Sequence, residues 1–102
     1  MSLFEGRGGI PHIWRETIDT GGRHHAFPFT SKYLQIRVAT NPCKVFFTAE
    51  DMAADTGYVL VPVASTSTPY GEWQGPVEAQ GVYLKGSSGN SVVELVAYQR
   101  RG

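Results

Sequence analysis

The histidines are the first residues that suggest a site, because imidazoles bind metal ions and transfer protons. His24 and His25 are adjacent, and neighbouring residues of a β-strand point to opposite faces of the sheet, so the two rings do not converge on one ion. His12 stands apart from them, and neither an HxH nor an HExxH spacing occurs. We therefore predict no metal site at the histidines.

The acidic and glycine-rich segments also lack the spacing of a binding loop. Glu50, Asp51 and Asp55 lie close together, but they do not form the acidic ladder with a central glycine that binds calcium in EF-hand loops. Glycines cluster at residues 6–9 and 86–89, and neither cluster follows a strand and opens a helix, as a phosphate-binding loop does. These segments predict solvated loops and no cofactor.

Cys43 is the only cysteine of the chain, so an internal disulfide cannot form. It follows Pro42 in a predicted strand, whereas reactive thiols commonly lie at helix N-termini. No GxSxG nucleophile motif occurs. We predict that Cys43 is a small buried residue and that the protein is not an enzyme.

Four aromatic residues leave two functions open. Trp14, Tyr70, Trp73 and Tyr83 suit either a carbohydrate-stacking platform or the core and interfaces of a β-fold. A carbohydrate-binding β-sandwich module, with Tyr70 and Trp73 as exposed aromatics, is therefore the alternative function.

Composition limits the classes of partner. The chain has 102 residues, which predicts one domain, with 41% hydrophobic and 18% charged residues. Nine Lys and Arg balance nine Asp and Glu, so nothing predicts attraction to nucleic acid or to an anionic membrane. No apolar stretch approaches the roughly 20 residues of a membrane helix. The N-terminus does not read as a signal peptide, so we expect synthesis in the cytoplasm.

Alternating apolar residues, the period of a β-strand, recur along most of the chain. Residues 92–99 are the clearest example, with one wholly apolar face that we predict to be buried. Residues 49–57 break the alternation and predict about one helical turn capped by Thr48. The predicted strands are residues 12–19, 24–29, 32–39, 43–48, 58–63, 82–85 and 92–99.

Short loops predict that neighbouring strands pair. Residues 86–90 predict a hairpin between the last two strands, and Asn41-Pro42 predicts a second one between the strands that flank it. The pattern indicates an all-β fold, an antiparallel two-sheet β-sandwich of jelly-roll type, with a single domain over residues 12–102. Its predicted core comprises Leu34, Ile36, Val38, Val45, Phe47, Val59, Val61, Leu84, Val93 and Leu95.

Residues 1–11 differ from the rest because they combine glycines with large apolar side chains. Glycine is costly to order, so we predict a flexible N-terminal arm that orders only against another chain; a frayed tail is the alternative. The next segment, residues 12–19, is predicted to be an edge strand. The predicted partner-binding residues of the arm and edge strand are Leu3, Phe4, Arg7, Ile10 and Trp14.

Short phrases over roughly residues 33–101 resemble the small β-sandwich structural proteins of tailed bacteriophages, such as capsid decoration or cement proteins and head–tail accessory proteins. The segments that carry this resemblance are residues 47–51 with the strand at 58–63, and residues 75–78, 82–86, 92–98 and 100–101.

This resemblance implies a non-enzymatic virion protein that binds and stabilises capsid or head–tail (neck) subunits. It implies no catalytic residues, no cofactor and no nucleic-acid or membrane partner. The expected partners are other virion proteins, in a homo-oligomer or symmetric array. The expected location is the virion, which assembles in the cytoplasm of the bacterial host.

Overall fold

A computed structural model describes residues 9–63 and 71–100. The described residues form an antiparallel β-fold with one short helix, which confirms the all-β prediction. The elements in chain order are β1 (Gly9–Ile18), β2 (Arg23–Val38), β3 (Cys43–Phe46), α1 (Ala49–Ala54), β4 (Val59–Val61), β5 (Glu72–Gly75), β6 (Ala79–Gly86) and β7 (Ser91–Arg100).

The seven strands form one sheet in the order β1-β7-β2-β6-β3-β4, with β5 paired to β2. The long strand β2 links two lobes of this sheet. Its C-terminal half pairs with β7 and β5, so the first lobe contains β1, β7 and β5. Its N-terminal half pairs with β6, so the second lobe contains β6, β3 and β4.

The sequence predicted two strands where β2 is one. The pairing of β2 with β6 is interrupted between Ala26, which lies opposite Gly81, and Ser31, which lies opposite Ala79. Such a bulge bends a strand and increases its twist. It also tolerates Pro28, which has no backbone N–H to donate to a ladder. The strand therefore continues through the segment that the sequence suggested would end it.

Both predicted hairpins are wrong. β7 pairs with β1 and β2, not with β6, and β3 pairs with β4 and β6, not with β2. The two short loops instead carry the chain from one lobe to the other. They bind each other there, since the Asn41 Nδ2 donates to the Asn90 carbonyl oxygen at 2.9 Å. The Ser91 hydroxyl donates to the carbonyl oxygen of Asn41 at 2.7 Å.

One hydrophobic core receives side chains from both lobes. Phe47 and Val59, which the sequence placed in the core, are only partly buried and pack against it. The other predicted core residues are all buried, namely Leu34, Ile36, Val38, Val45, Val61, Leu84, Val93 and Leu95.

Helix α1 confirms the predicted helical turn and its cap. The Thr48 hydroxyl accepts a hydrogen bond from the backbone N–H of Asp51 at 3.1 Å. The helix ends at Asp55, whose φ of 56° is left-handed, so its N–H turns back to the preceding carbonyls.

The first strand begins inside the segment that the sequence assigned to the arm. Gly9, Ile10 and Pro11 pair with Arg100, Gln99 and Tyr98 of β7. The predicted arm residues Leu3, Phe4 and Arg7 lie outside the described residues.

Candidate functional site

Strand β1 forms one edge of the sheet, since among the described residues it pairs only with β7. Ile13 is 65% exposed and Ile10 is 42% exposed. The two side chains lie on opposite faces of the strand because their positions differ by an odd number. This edge therefore presents apolar side chains together with backbone groups that, within the described residues, have no strand partner on one side.

Trp14, also predicted to bind a partner, instead belongs to an inner aromatic cluster. Its ring lies 4.9 Å from that of His25, 5.4 Å from Phe27 and 6.3 Å from Phe29, measured between centroids. His12 completes this inner aromatic cluster, 4.5 Å from Phe29. Trp14 also packs against the hydrophobic core, so its indole stabilises the fold.

His25 is held neutral within the inner aromatic cluster. Its side chain is 9% exposed, and burial lowers its pKa, although the Glu16 carboxylate opposes that shift. Its Nδ1 donates to the Glu16 Oε1 at 3.3 Å, and Glu16 also accepts from Arg23 at 3.0 Å. The buried Nε2 has no hydrogen-bond partner in residues 9–63 and 71–100.

Trp73 and Tyr70 were the predicted exposed aromatics. Trp73 is partly buried, packs against the hydrophobic core and lies 5.9 Å from the ring of Phe47. Tyr70 lies outside the described residues. A sugar stacks on an exposed face of an aromatic ring. The contacts of Trp73 with the core and with Phe47 cover part of its ring, which makes it less suited to bind a sugar.

A cleft of about 520 Å³ opens beside the bulge of β2, where β2 separates from β6. Its volume is within the range of ligand-binding clefts. The sequence did not predict it, because it depends on the register of two strands that are distant in sequence. We call it the β2–β6 cleft; its walls include His24, Phe27, Phe47, Val77, Glu78 and Tyr83.

His24 and Tyr83 form a stacked pair in one wall of the β2–β6 cleft, with ring centroids 4.2 Å apart and planes 15° apart. The nearby glycine, Gly81, permits this arrangement. A Cβ at Gly81 would lie 2.8 Å from the His24 Nε2 and 2.7 Å from the backbone oxygen of His25. A larger residue at this position therefore requires the backbone of β2, the His24 imidazole or both to shift.

Cys43 is fully buried, as predicted, and burial raises its pKa to about 11. The thiol is therefore protonated at neutral pH and is a poor nucleophile. In the part of the chain that the structure describes, no three His, Cys, Asp or Glu side chains are grouped so that they could hold a metal ion.

A surface ion pair connects the second lobe to the end of helix α1. The Lys44 Nζ lies 2.9 Å from an Asp55 oxygen, and the Lys85 Nζ lies 3.8 Å from the other. The hydrogen bond between Lys44 and Asp55 raises the pKa of Lys44 and lowers that of Asp55. This contact is satisfied within the chain and offers no free charge to a ligand.

No helix in the described residues is long and apolar enough to cross a membrane. Comparison with protein-family models, with curated proteins and with solved structures finds no match to this chain.

Proposed function

We propose that this protein is a non-enzymatic structural protein of a tailed bacteriophage particle, where it binds capsid or head–tail subunits and stabilises them. The observation that carries the proposal is the edge strand β1, which exposes Ile10 and Ile13. An exposed edge can pair with a strand of a neighbouring subunit through backbone hydrogen bonds. Its apolar side chains add buried area to that contact.

The proposal includes a finer description of the fold. We propose that the two lobes face each other as the two layers of a β-sandwich with jelly-roll connections. One core takes Ile36 and Leu95 from the first lobe and Val45 and Leu84 from the second, which supports this arrangement. The chain also passes between lobes at the loops before β3 and β7.

The residues outside the described part extend the proposed interface. Residues 1–8 immediately precede β1 and contain Leu3, Phe4 and Arg7. Docking on a neighbour would bury the two apolar side chains for roughly 1.5–3 kcal/mol each. Ordering the backbone offsets about 1–2 kcal/mol per residue. For eight residues that cost, about 8–16 kcal/mol, exceeds the gain from the two side chains, so docking of the arm requires backbone hydrogen bonds to the neighbour as well.

Incorporation into particles tests the edge directly. Ile13→Lys places a charge on the proposed interface, so we expect it to reduce the amount of protein in purified particles severalfold while the isolated domain stays folded. The matched control is Leu60→Lys, because Leu60 is 50% exposed but lies on β4, the opposite edge strand. Equal incorporation of both variants would count against β1 as the docking edge.

A further inference from the structure

We propose that the free edge of β1 pairs with an antiparallel strand of a different protein in the particle. This partner strand carries a carboxylate opposite Arg15 and an apolar side chain opposite Ile13. The inference rests on the proposed function and names the chemistry of the partner, a strand in which an acidic residue stands two positions before an apolar one.

The backbone of β1 has a fixed phase relative to its free edge. The Val92 carbonyl oxygen accepts from the Ala39 N–H, which follows β2, at 2.9 Å. The even-numbered residues of β7 therefore bond towards β2, and the odd-numbered ones bond towards β1. The odd-numbered residues of β7 lie opposite even-numbered residues of β1, as Leu95 lies opposite Trp14. The odd-numbered residues of β1 are thus the ones whose backbone groups point outward.

Pro11 agrees with this phase. Proline has no N–H to donate, so in an edge strand its nitrogen faces away from the neighbouring strand. The backbone groups of Ile13, Arg15 and Thr17 share that outward direction. Their side chains also share one face of the strand, because their positions differ by even numbers. A partner strand at this edge meets these three residues in its hydrogen-bonded pairs.

Charged residues alternate in sign along one row across four strands. Arg15 lies opposite Glu94, Glu94 opposite Arg37, and Arg37 opposite Glu72. The Arg37 Nε lies 3.0 Å from the Glu72 Oε1, and its Nη1 lies 4.0 Å from the Glu94 Oε1. Opposite charges on directly opposed residues stabilise a strand pair, and like charges destabilise it.

Arg15 ends this row at the free edge of the sheet. It is exposed and has no hydrogen bond or ion pair within residues 9–63 and 71–100. A strand added to β1 places one of its side chains directly opposite Arg15. The alternation continues only if that side chain is a carboxylate, so Arg15 selects an acidic residue in the partner.

Ile13 determines a second position of the partner. It is 65% exposed and lies beside Val96, which is 8% exposed. An apolar residue opposite Ile13 extends this apolar pair and removes Ile13 from water. Ile13 precedes Arg15 by two positions, so in an antiparallel partner the apolar residue follows the acidic one by two. Strand β7 meets β1 in the same way on its other side, with Glu94 and Val96.

The described edge strands of this chain do not provide such a partner. Two copies of β1 would pair odd-numbered residues with each other, and none of these residues within the strand is acidic. β4 reads Val-Leu-Val, and the N-terminal half of β2, residues 23–29, also contains no acidic residue. In β5, Glu72 precedes the polar Gln74 and already accepts hydrogen bonds from Arg37 and Gln35. The partner is therefore a different protein.

Competition for incorporation tests the charge opposite Arg15. Each variant is produced together with the wild type in cells that assemble particles, and mass spectrometry compares their ratio in purified particles with that in the lysate. We expect Arg15→Glu to be depleted at least about fivefold, because it opposes two carboxylates. Arg15→Gln loses only an attraction and should be depleted about twofold. Arg15→Lys and the matched control Arg100→Glu, a charge reversal at an exposed residue of β7, should stay close to the wild type.

Cross-linking identifies the residue that faces Arg15. A carbodiimide joins an amine to a carboxylate in contact with it, and a guanidinium does not react. Particles that contain Arg15→Lys should give a cross-link from the new amine to an Asp or Glu of another protein, two positions before an apolar residue. Arg100→Lys introduces an amine at a different place and should not give this product.

Each outcome decides between the inference and its alternatives. Equal incorporation of Arg15→Glu and the wild type would overturn the inference and leave the proposed function standing. A cross-link to a second copy of this chain, at Glu72 or elsewhere, would do the same, as would one to a carboxylate with no apolar residue two positions later. Depletion of Arg15→Glu without any cross-link to a protein would indicate another anion, such as nucleic acid, and overturn it too. Absence of the wild type from particles would overturn the proposed function and this inference with it.

Discussion

The inner aromatic cluster and the β2–β6 cleft meet at Phe27, and each uses one of the two adjacent histidines of β2 in a different role. On the inner face, His25 and Phe27 pack against Trp14. On the outer face, His24 stacks on Tyr83 beside an open cleft. Because side chains alternate along a strand, adjacent histidines serve different purposes: one stabilises the interior, and the other remains available for binding.

The largest expected difference is in stability. Trp14→Ala should lower the free energy of unfolding by about 3 kcal/mol, because it removes a large ring that packs on four aromatic neighbours and on the core. Tyr83→Ala should cost about 1 kcal/mol, because its ring is only half-buried. Urea denaturation measures both. Equal losses would show that the two faces do not differ as described.

The reactivity of Cys43 reports on the packing of the interior. Its pKa is raised from 9.0 to about 11, so at neutral pH its thiolate fraction is about a hundredfold lower than that of a free thiol. Alkylation by iodoacetamide should therefore be at least about a hundredfold slower in the native protein than in the same protein unfolded in urea. Similar rates in the two states would mean that the core around Cys43 is open.

The pH dependence of stability reports on the burial of His25. His25 has a pKa below 6.5 in the folded protein, so the unfolded chain binds more protons as the pH falls. The stabilisation is fully present above about pH 6.5 and is lost as the pH falls through the folded pKa. His25→Phe should flatten this dependence between about pH 5 and 6.5. The same pH dependence in His25→Phe and in the wild type would contradict the burial of His25.

Local sequence patterns predicted the elements of this fold better than their arrangement. Alternation identified most strands, and Thr48 with its acidic first turn identified α1. The loop at residues 86–90 indicated a turn, but a turn does not specify which strand will be the partner. In the sheet β2 lies between β6 and β7, so these two strands do not pair with each other. Its bulge around Pro28 depends on pairing with β6 and has no local signal.

Of the two candidate sites, only one could be predicted from the sequence. Period-two spacing in residues 12–14 and 25–29 already places five rings on the inner faces of two strands, so the inner aromatic cluster was accessible from the sequence. The β2–β6 cleft was not, because Glu78 and His24 are far apart in the chain and meet only through strand register. Trp14 was assigned to an interface because indoles favour both environments.

The central claim, that this protein is a repeating structural subunit of a phage particle, is tested most directly by its copy number in purified particles. Quantitative mass spectrometry against the major capsid protein gives that number. The account predicts a fixed ratio that matches an icosahedral shell or a ring at the neck, unchanged after a high-salt wash. Absence from washed particles, or a ratio that varies between preparations, would contradict it.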